Sequence, residues 1–575
     1  MRKFLLSTMI VGLLSACSDS GVVVADKDNN NGGTTSSTTD STTGATTGAT
    51  TGSTNAAANL DPAAVAAARF LNQATFGATQ QTINELVALG DPSAWIDDQF
   101  SLPISALSPY TRTNSNGSRS DALHEIWWNN ALSEADQLRQ RVAYALSQIF
   151  VVSDVDAALA NAQYGMADYY DMLSRNAFGN YRTLLEDVTL HPVMGVYLSM
   201  VLNERPNEAQ NIRPDENYAR ESLQLFSIGL FDLNTRGEPI PPGNPRPSYT
   251  QETVEQFARV YTGWNYPTAR RWNDTGANQN FFIGRMVANE AFHDTQSKAL
   301  LNGAVTTAGW SAQQDITFAL DNVFNHPNVG PFIGKQLIQR LVTSNPSPSY
   351  IERVALVFND NGNGVRGDMR SVIRAILLDD EARSGHLNNP EFGKIREPSI
   401  KQAHIWRALD GMPGPSANGT HSTANFTLER SDEMFGQAVM QAASVFNFYL
   451  PDNPLSAGNT LLSPEMQIIS EANLANTHNN YHNQVYRFNN RSDLTDDNPR
   501  VTTINLEGLT ALARRPSELM DWYNLVLFAG SMPDNVRSTL LRYMSTLGNT
   551  DIEYFAKAQD TLFLILVSPS FHIQR

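Results

Sequence analysis

Cysteine is almost missing from this chain of 575 residues: Cys17 stands alone. No intramolecular disulfide can form, and no Cys nucleophile sits in the body of the protein. Bases are also in short supply, with 41 Lys and Arg against 58 Asp and Glu and a net charge of −17. So acidic a chain repels phosphate backbones, which sets nucleic acid aside as a partner, and it argues against broad docking on anionic lipid. Long apolar runs are lacking too. The stretch at 4–14 and the run at 562–567 both fall short of the about 20 residues that a membrane-spanning helix needs. There is no phosphate-binding P-loop and no Gly-x-Ser-x-Gly elbow. Strand-like alternation bounded by Asn-Gly or Asp-Gly turns is scarce.

What is present begins at the N-terminus. Arg2 and Lys3 precede the apolar run, which ends in Leu14-Ser15-Ala16-Cys17. This is a positive n-region, a short h-region and small residues before a cleavage point. A cysteine at that place predicts a lipoprotein signal over 1–16, with the Cys17 thiol receiving diacylglycerol and serving as the lipid attachment. The competing reading is an ordinary signal peptide with an accidental cysteine. Several acyl chains on one residue make a stable membrane anchor, where a single chain is marginal. Removal of 1–16 deletes two bases and no acid, so the mature protein is more acidic still. Ser18, in place of an aspartate, resembles the sorting signal of Gram-negative outer-membrane lipoproteins. The predicted location is therefore the outer membrane or cell envelope.

Residues 17–59 read as a tether. Thr-Thr-Gly-Ala at 42–45 and 46–49 and Thr-Thr-Gly-Ser at 50–53 form a small repeat, and only Asp40 is charged between 34 and 54. Such a segment buries too little surface to offset its ordering entropy. As a flexible coil it reaches ~35 Å.

From residue 60 to 575 the pattern predicts one large, all-α, multi-helical body with long irregular loops. At 41% hydrophobic and 17% charged residues the whole chain has ordinary globular composition and is long enough for a sizeable core. Thr250 reads as an N-cap, with Tyr249 and Val254 as a staple and Val254, Phe257, Ala258 and Tyr261 on one face. Asp368 opens a helix whose stripe is Met369, Val372, Ile373 and Ile376. Val536, Leu540, Tyr543, Met544 and Leu547 mark a third. Loops at 235–248, 411–427 and 482–503 are long enough to be functional or disordered.

The densest polar constellation runs from Pro214 to Gly229. Asp215 reads as the cap, Ala219, Leu223, Phe226 and Leu230 as the buried stripe, and Gly229 as the stop. Glu216 and Arg220 are four apart and can pair. Asn217, Glu221 and Gln224 share another face. Glu216 and Glu221 lie roughly 140° apart around the helix and do not form a carboxylate pair by themselves. The plain alternative is an exposed helix with one salt bridge. His293-Asp294, with Lys298, suits either metal ligands or an acid/base pair; the alternative is a capping Asp beside a surface His. His191 precedes Pro192, which fits the first position of a helix carrying Val193, Met194, Val196, Tyr197 and Met200. A capping or packing role competes there with a binding one.

Other motifs fail. His124-Glu125 starts like a zinc-protease helix, but Trp128 stands where the second His belongs. Residues 359–364 resemble a calcium loop, yet its twelfth position is Arg370. Arg366-Gly367-Asp368 is more simply the approach to a cap. Phe446, Phe448 and Tyr449 suit either a sugar-stacking surface or core packing.

Taken together, Arg69-Phe70-Leu71, Ala74-Thr75-Phe76-Gly77, His191-Pro192, Glu216-Asn217-Tyr218-Ala219-Arg220-Glu221, Tyr261-Thr262-Gly263-Trp264 and His293-Asp294 with Lys298 resemble a bacterial family catalogued as domain of unknown function 1800. Gly364 to Asp368, Ala382-Arg383, Lys394 and Arg396-Glu397-Pro398 also fit. The resemblance spans 64–575. It implies an exported, mostly helical protein and no activity, and it points to an exported sulfatase-like protein as a partner. Many relatives carry a His-x-His pair where Ser147 and Ile149 stand here, and Gln296 replaces a common Gly. Both departures count against a divalent metal, and no other cofactor is evident.

Two functional expectations follow. One is a lipid-anchored binding protein for a surface polysaccharide or exported partner. The other is an envelope-polymer hydrolase in which Glu216, Glu221, His293 and Asp294 share a cleft and Arg220 orients a substrate anion.

Overall fold

Local capping rules account for where most helices begin. In the computed structural model, which describes residues 60–117, 122–274, 279–412, 431–487, 489 and 502–575, helix after helix starts at a side chain that accepts its own first free N–H groups. Asp61 caps α1 (Pro62–Ala74). The N-terminal half continues through α2 (Gln137–Ser147), α3 (Gln163–Asn176), α4 (Tyr181–Leu190), α5 (Pro192–Tyr197) and α6 (Asn217–Gln224). Thr250 and Thr253 form a reciprocal capping box at α7 (Gln251–Val260), and Ser311 and Gln314 do so at α8 (Ala312–Phe324). Then come α9 (Val329–Leu341), α10 (Pro348–Asn359), α11 (Met369–Leu378), capped by Asp368, and α12 (Pro398–Ala408). The C-terminal part includes α13 (Glu471–Tyr486), α14 (Asp534–Ser545) and α15 (Asp551–Leu566).

The body is mostly helical, as the sequence pattern predicts. Among the described residues the sheets are two antiparallel pairs of two-residue strands: β1 (Trp264–Asn265) with β2 (Val287–Ala288), and β3 (Lys394–Ile395) with β4 (Ile573–Gln574). The second pair ties the C-terminus to the strand that precedes α12. One continuous hydrophobic cluster runs from α1 to the last residues. Within it α9, α10 and α11 pack in succession, α2 packs on α3, and α13 packs on α15.

The predicted stripes of α7 and α11 hold in detail. Val254, Phe257 and Ala258 are buried on α7, and Met369, Val372, Ile373 and Ile376 on α11. On α14 only Leu540 and Met544 are fully buried. The apolar run at 562–567 lies within and just after α15, and among the described residues no helix is long and apolar enough to cross a membrane. The helix after Pro192 is shorter than its pattern. It ends at Tyr197 because Ser199 and Leu202 adopt left-handed backbone (φ 61° and 62°), and Met200 is buried from the loop instead. Leu230 is the other departure: it is 51% exposed, because Gly229 turns the chain with φ 71° before that position can rejoin the stripe. Residues 359–368 form the predicted loop to a cap, with Asp360 Oδ1 accepting from Gly362 and Gly364 (both 2.8 Å) and Asp368 accepting from Arg370 N (3.1 Å).

Cys17 and all of the signal and tether segments lie outside the described residues, as do 413–427 and most of 488–501 in the two polar loops. The proline-rich loop at 235–248 folds back through bridges between Phe231 and Pro247 and between Leu233 and Pro239. Asn328 holds its base by donating to the carbonyls of Ile228 and Phe231 and accepting from Leu233 N.

Candidate functional site

Helix α6 presents its constellation in two directions. Its inner face buries Tyr218, Ala219, Ser222 and Leu223, and the Tyr218 hydroxyl donates to Thr189 Oγ1 (2.6 Å). Asp215 caps it by accepting the Asn217 N–H (2.9 Å). On the outer face Arg220 bridges Glu216 (3.0 Å) and Gln251 Oε1 (3.0 Å), while Gln251 Nε2 donates to Glu216 (2.8 Å). This ring joins α6 to the first turn of α7 and stays partly exposed, with Asn217 beside it in solvent. Exposed ion pairs of this kind stabilise by only about 0.3–0.5 kcal/mol.

Glu221 points elsewhere. Its Oε2 is buried without a hydrogen-bond partner. Burial raises its carboxyl to about 7, and Arg220 offsets only part of that. Beside it on α6, Gln224 accepts from the Tyr249 hydroxyl (3.0 Å). Glu221 is thus a carboxyl poised to exchange a proton near neutral pH.

His293 and Asp294 belong to a buried knot. The β1–β2 pair carries the chain back past Gly263, so that 289–294 packs on the end of α7. His293 is 0% exposed. Its Nδ1 lies 2.9 Å from the Thr262 carbonyl and its Nε2 3.0 Å from Asp315 Oδ2. Both ring nitrogens thus face oxygen atoms. Lys298, 1% exposed, donates to the same Asp315 oxygen (2.5 Å), to Gln296 O (2.9 Å) and to Asp294 O. Asp294 turns away to Arg259 Nε (2.6 Å). Burial pushes the Asp294 carboxyl up, but the Arg259 bond and the Gln296 N–H outweigh it and hold it below the ordinary carboxylate range.

The sequence pairing of His293 with Asp294 is therefore replaced by two separate pairs, His293 with Asp315 and Asp294 with Arg259. Neighbouring residues on a turning backbone point to different sides. Asp315 and Arg259 escape a sequence reading because they look like an ordinary first-turn acid and last-turn base of α8 and α7. The only available signal is the helix boundary itself.

His191 serves its own helix. Its Nδ1 accepts the Val193 N–H (3.3 Å), its ring sits edge-on to Tyr169, and its Nε2 lies 3.4 Å from Asp168. Burial pushes its pKa below the ordinary histidine value, against the pull of Asp168.

A larger polar cluster gathers around Glu397, whose Arg396-Glu397-Pro398 motif carries no chemical role in the sequence reading. Glu397 stands at the N-cap position of α12 but turns its carboxylate inward, with no exposure. It accepts from Gln437 (2.7 Å), from the Tyr144 hydroxyl (3.2 Å) and from Gln148. Lys394 lies 3.8 Å away and pairs with Glu465 (3.0 Å). Arg141 and Arg340 interlock by donating to Arg340 O (2.5 Å) and Gln148 O (3.0 Å). Burial raises Glu397, yet Lys394 and Arg141 prevail and keep it ionised below its ordinary range. Ser147 and Ile149 flank Gln148 at this cluster; Ser147 bonds to its own helix and Ile149 is buried. Among the described residues no group of three or more His, Cys, Asp or Glu is placed to hold a metal ion.

Tyr449 is buried and its hydroxyl lies 3.4 Å from Gln148, whereas Phe446 and Leu450 beside it are exposed. An open cleft of about 660 Å³ lies elsewhere, lined by Gln81, Glu85, Arg407, Asp410 and Trp522 among others; it contains none of the predicted site residues.

No curated protein and no solved structure matches this chain. The model of the family described as protein of unknown function (DUF1800) matches residues 69–573, and the chain belongs to that family.

Proposed function

We propose that this is a lipid-anchored cell-envelope protein that binds a surface polymer or an exported partner protein. Anchoring rests on the Cys17 signal and on the tether that follows it. The observation that carries the binding reading is the burial of His293, Lys298 and Asp315, where the imidazole and the amine meet one Asp315 oxygen and backbone carbonyls inside the fold. What α6 and the first turn of α7 offer to solvent is a ring of Glu216, Arg220 and Gln251, suited to contact. An exported sulfatase-like protein or an envelope polysaccharide is the proposed partner, and the outer membrane the proposed place. No cofactor is needed for this reading.

The experiment uses the full chain, recovered from detergent-solubilised envelopes. One specific protein or glycan should co-purify with it, and the Arg220→Ala variant should recover less. Repeated recovery of nothing overturns the reading. Mass spectrometry of Cys17 tests the anchor separately, and Cys17→Ser should move the protein to the soluble fraction.

A second reading, an envelope-polymer hydrolase, has one observation in its favour: the buried, unpartnered carboxyl oxygen of Glu221, with its pKa near neutrality. On that reading Glu221 is the general acid. Turnover of an isolated envelope polymer that disappears in Glu221→Gln would decide for it.

A further inference from the structure

A cluster of bases with several buried, unpartnered polar atoms lies where α12, α13 and the turn before β4 meet. Lys401 of α12 is 3% exposed, and its amine donates to His572 Nδ1 at 2.7 Å. His478 of α13 faces His572, with ring centroids 6.5 Å apart. Three residues on, Tyr481 is fully buried and its hydroxyl has no partner. Arg396, just before α12, donates to His404 Nδ1 (3.0 Å) and to Leu527 O (2.8 Å), while its Nε is buried and unpartnered. His478 Nε2 is buried and unpartnered as well.

No carboxylate among the described residues pairs with any of the four bases. In a chain with 58 acids against 41 bases, an acid-free cluster of four is unexpected. A buried cation without a counter-charge is costly, and so is a buried donor without an acceptor. Both costs vanish if an anion with several acceptor oxygens enters.

We propose that Arg396, Lys401, His478, Tyr481 and His572 form a binding site for an oxyanion, either a free inorganic ion or the anionic group of an acidic polymer. The site shares no residue with the α6 ring and stands whether or not that ring binds a partner. Within the cluster the bases act on one another. Burial, and then Arg396, lower the Lys401 amine to about 7. Burial, Lys401, His478 and Arg396 together push His572 down to about 3. A bound oxyanion reverses these effects, so binding takes up protons near pH 7 and weakens as pH rises above it.

Calorimetric titration of the full chain with inorganic phosphate and with sulfate tests this. Saturable binding is expected, with a heat that depends on the buffer's ionisation enthalpy and so reports proton uptake. Lys401→Met should bind at least tenfold more weakly while folding at least as stably, since it removes a buried charge. Tyr481→Phe, which removes one hydroxyl and little volume, should weaken binding without loss of fold. An acidic oligosaccharide that competes with phosphate identifies a polymer-borne group; failure to compete leaves the free ion as ligand. Absence of saturable binding, or equal binding by wild type and both variants, overturns the proposal.

Discussion

Gly263 and His293 touch at van der Waals limit: a Cβ on Gly263 would fall 2.9 Å from both the His293 Cβ and its backbone nitrogen. Gly263 also holds φ at 86°, a conformation that other residues adopt at a cost. The Tyr-Thr-Gly-Trp and His-Asp motifs are thus two sides of one contact. Gly263→Ala should destabilise the protein by more than about 1 kcal/mol, and the urea midpoint should fall at unchanged slope.

The knot beyond that contact is sensitive to losing one partner. Lys298→Met removes the lysine partner of the buried Asp315 carboxylate. The expected loss is about 3–5 kcal/mol, the usual result of breaking a buried ion pair from one side. Arg220→Ala, which breaks the exposed ring on α6, should cost about 0.5 kcal/mol or less by the same denaturation measurement.

Glu221 should give stability an inverse pH dependence. Its carboxyl ordinarily ionises at 4.5 and is raised to about 7 in the fold. The folded state therefore binds a proton more tightly than the unfolded one. Its favourable contribution is complete below pH 4.5 and is lost as pH rises through 7. Glu221→Gln should remove this dependence, so that the variant gains Tm relative to wild type between pH 5 and pH 8. An equal difference at both pH values would contradict the assignment.

Glu397 should matter more to folding than its place at a helix start implies. Glu397→Gln keeps the shape but leaves Lys394 with Glu465 as its one acidic partner, and Arg141 without an acid. A loss of about 3–5 kcal/mol is expected. Thermal unfolding should show it, with far-UV circular dichroism confirming that helix content at low temperature is unchanged.

The helices were largely legible because their signals are local. Thr250 and Asp368 act on N–H groups within three residues, and the stripes of α7 and α11 repeat at helical spacing. Legibility failed at Leu230 and after Tyr197, where left-handed backbone at Gly229, Ser199 and Leu202 ends the repeat. Apolar spacing carries no information about such turns. The pairing of Glu216 with Arg220 was readable for the same local reason; the direction taken by His293 and Asp294 was not.

By itself the sequence determined a helical body, its caps, its acidic charge and the lone cysteine ahead of a Thr-rich segment, since each of these depends on composition or on residues within one or two turns. Only the tertiary structure decided that His293 meets Asp315, 22 positions away, and that Lys401 meets His572, 171 positions away. Those partners are chosen by which helices pack together to bury apolar surface. The charge that a buried side chain then faces follows from the packing and leaves no spacing in the chain to be read.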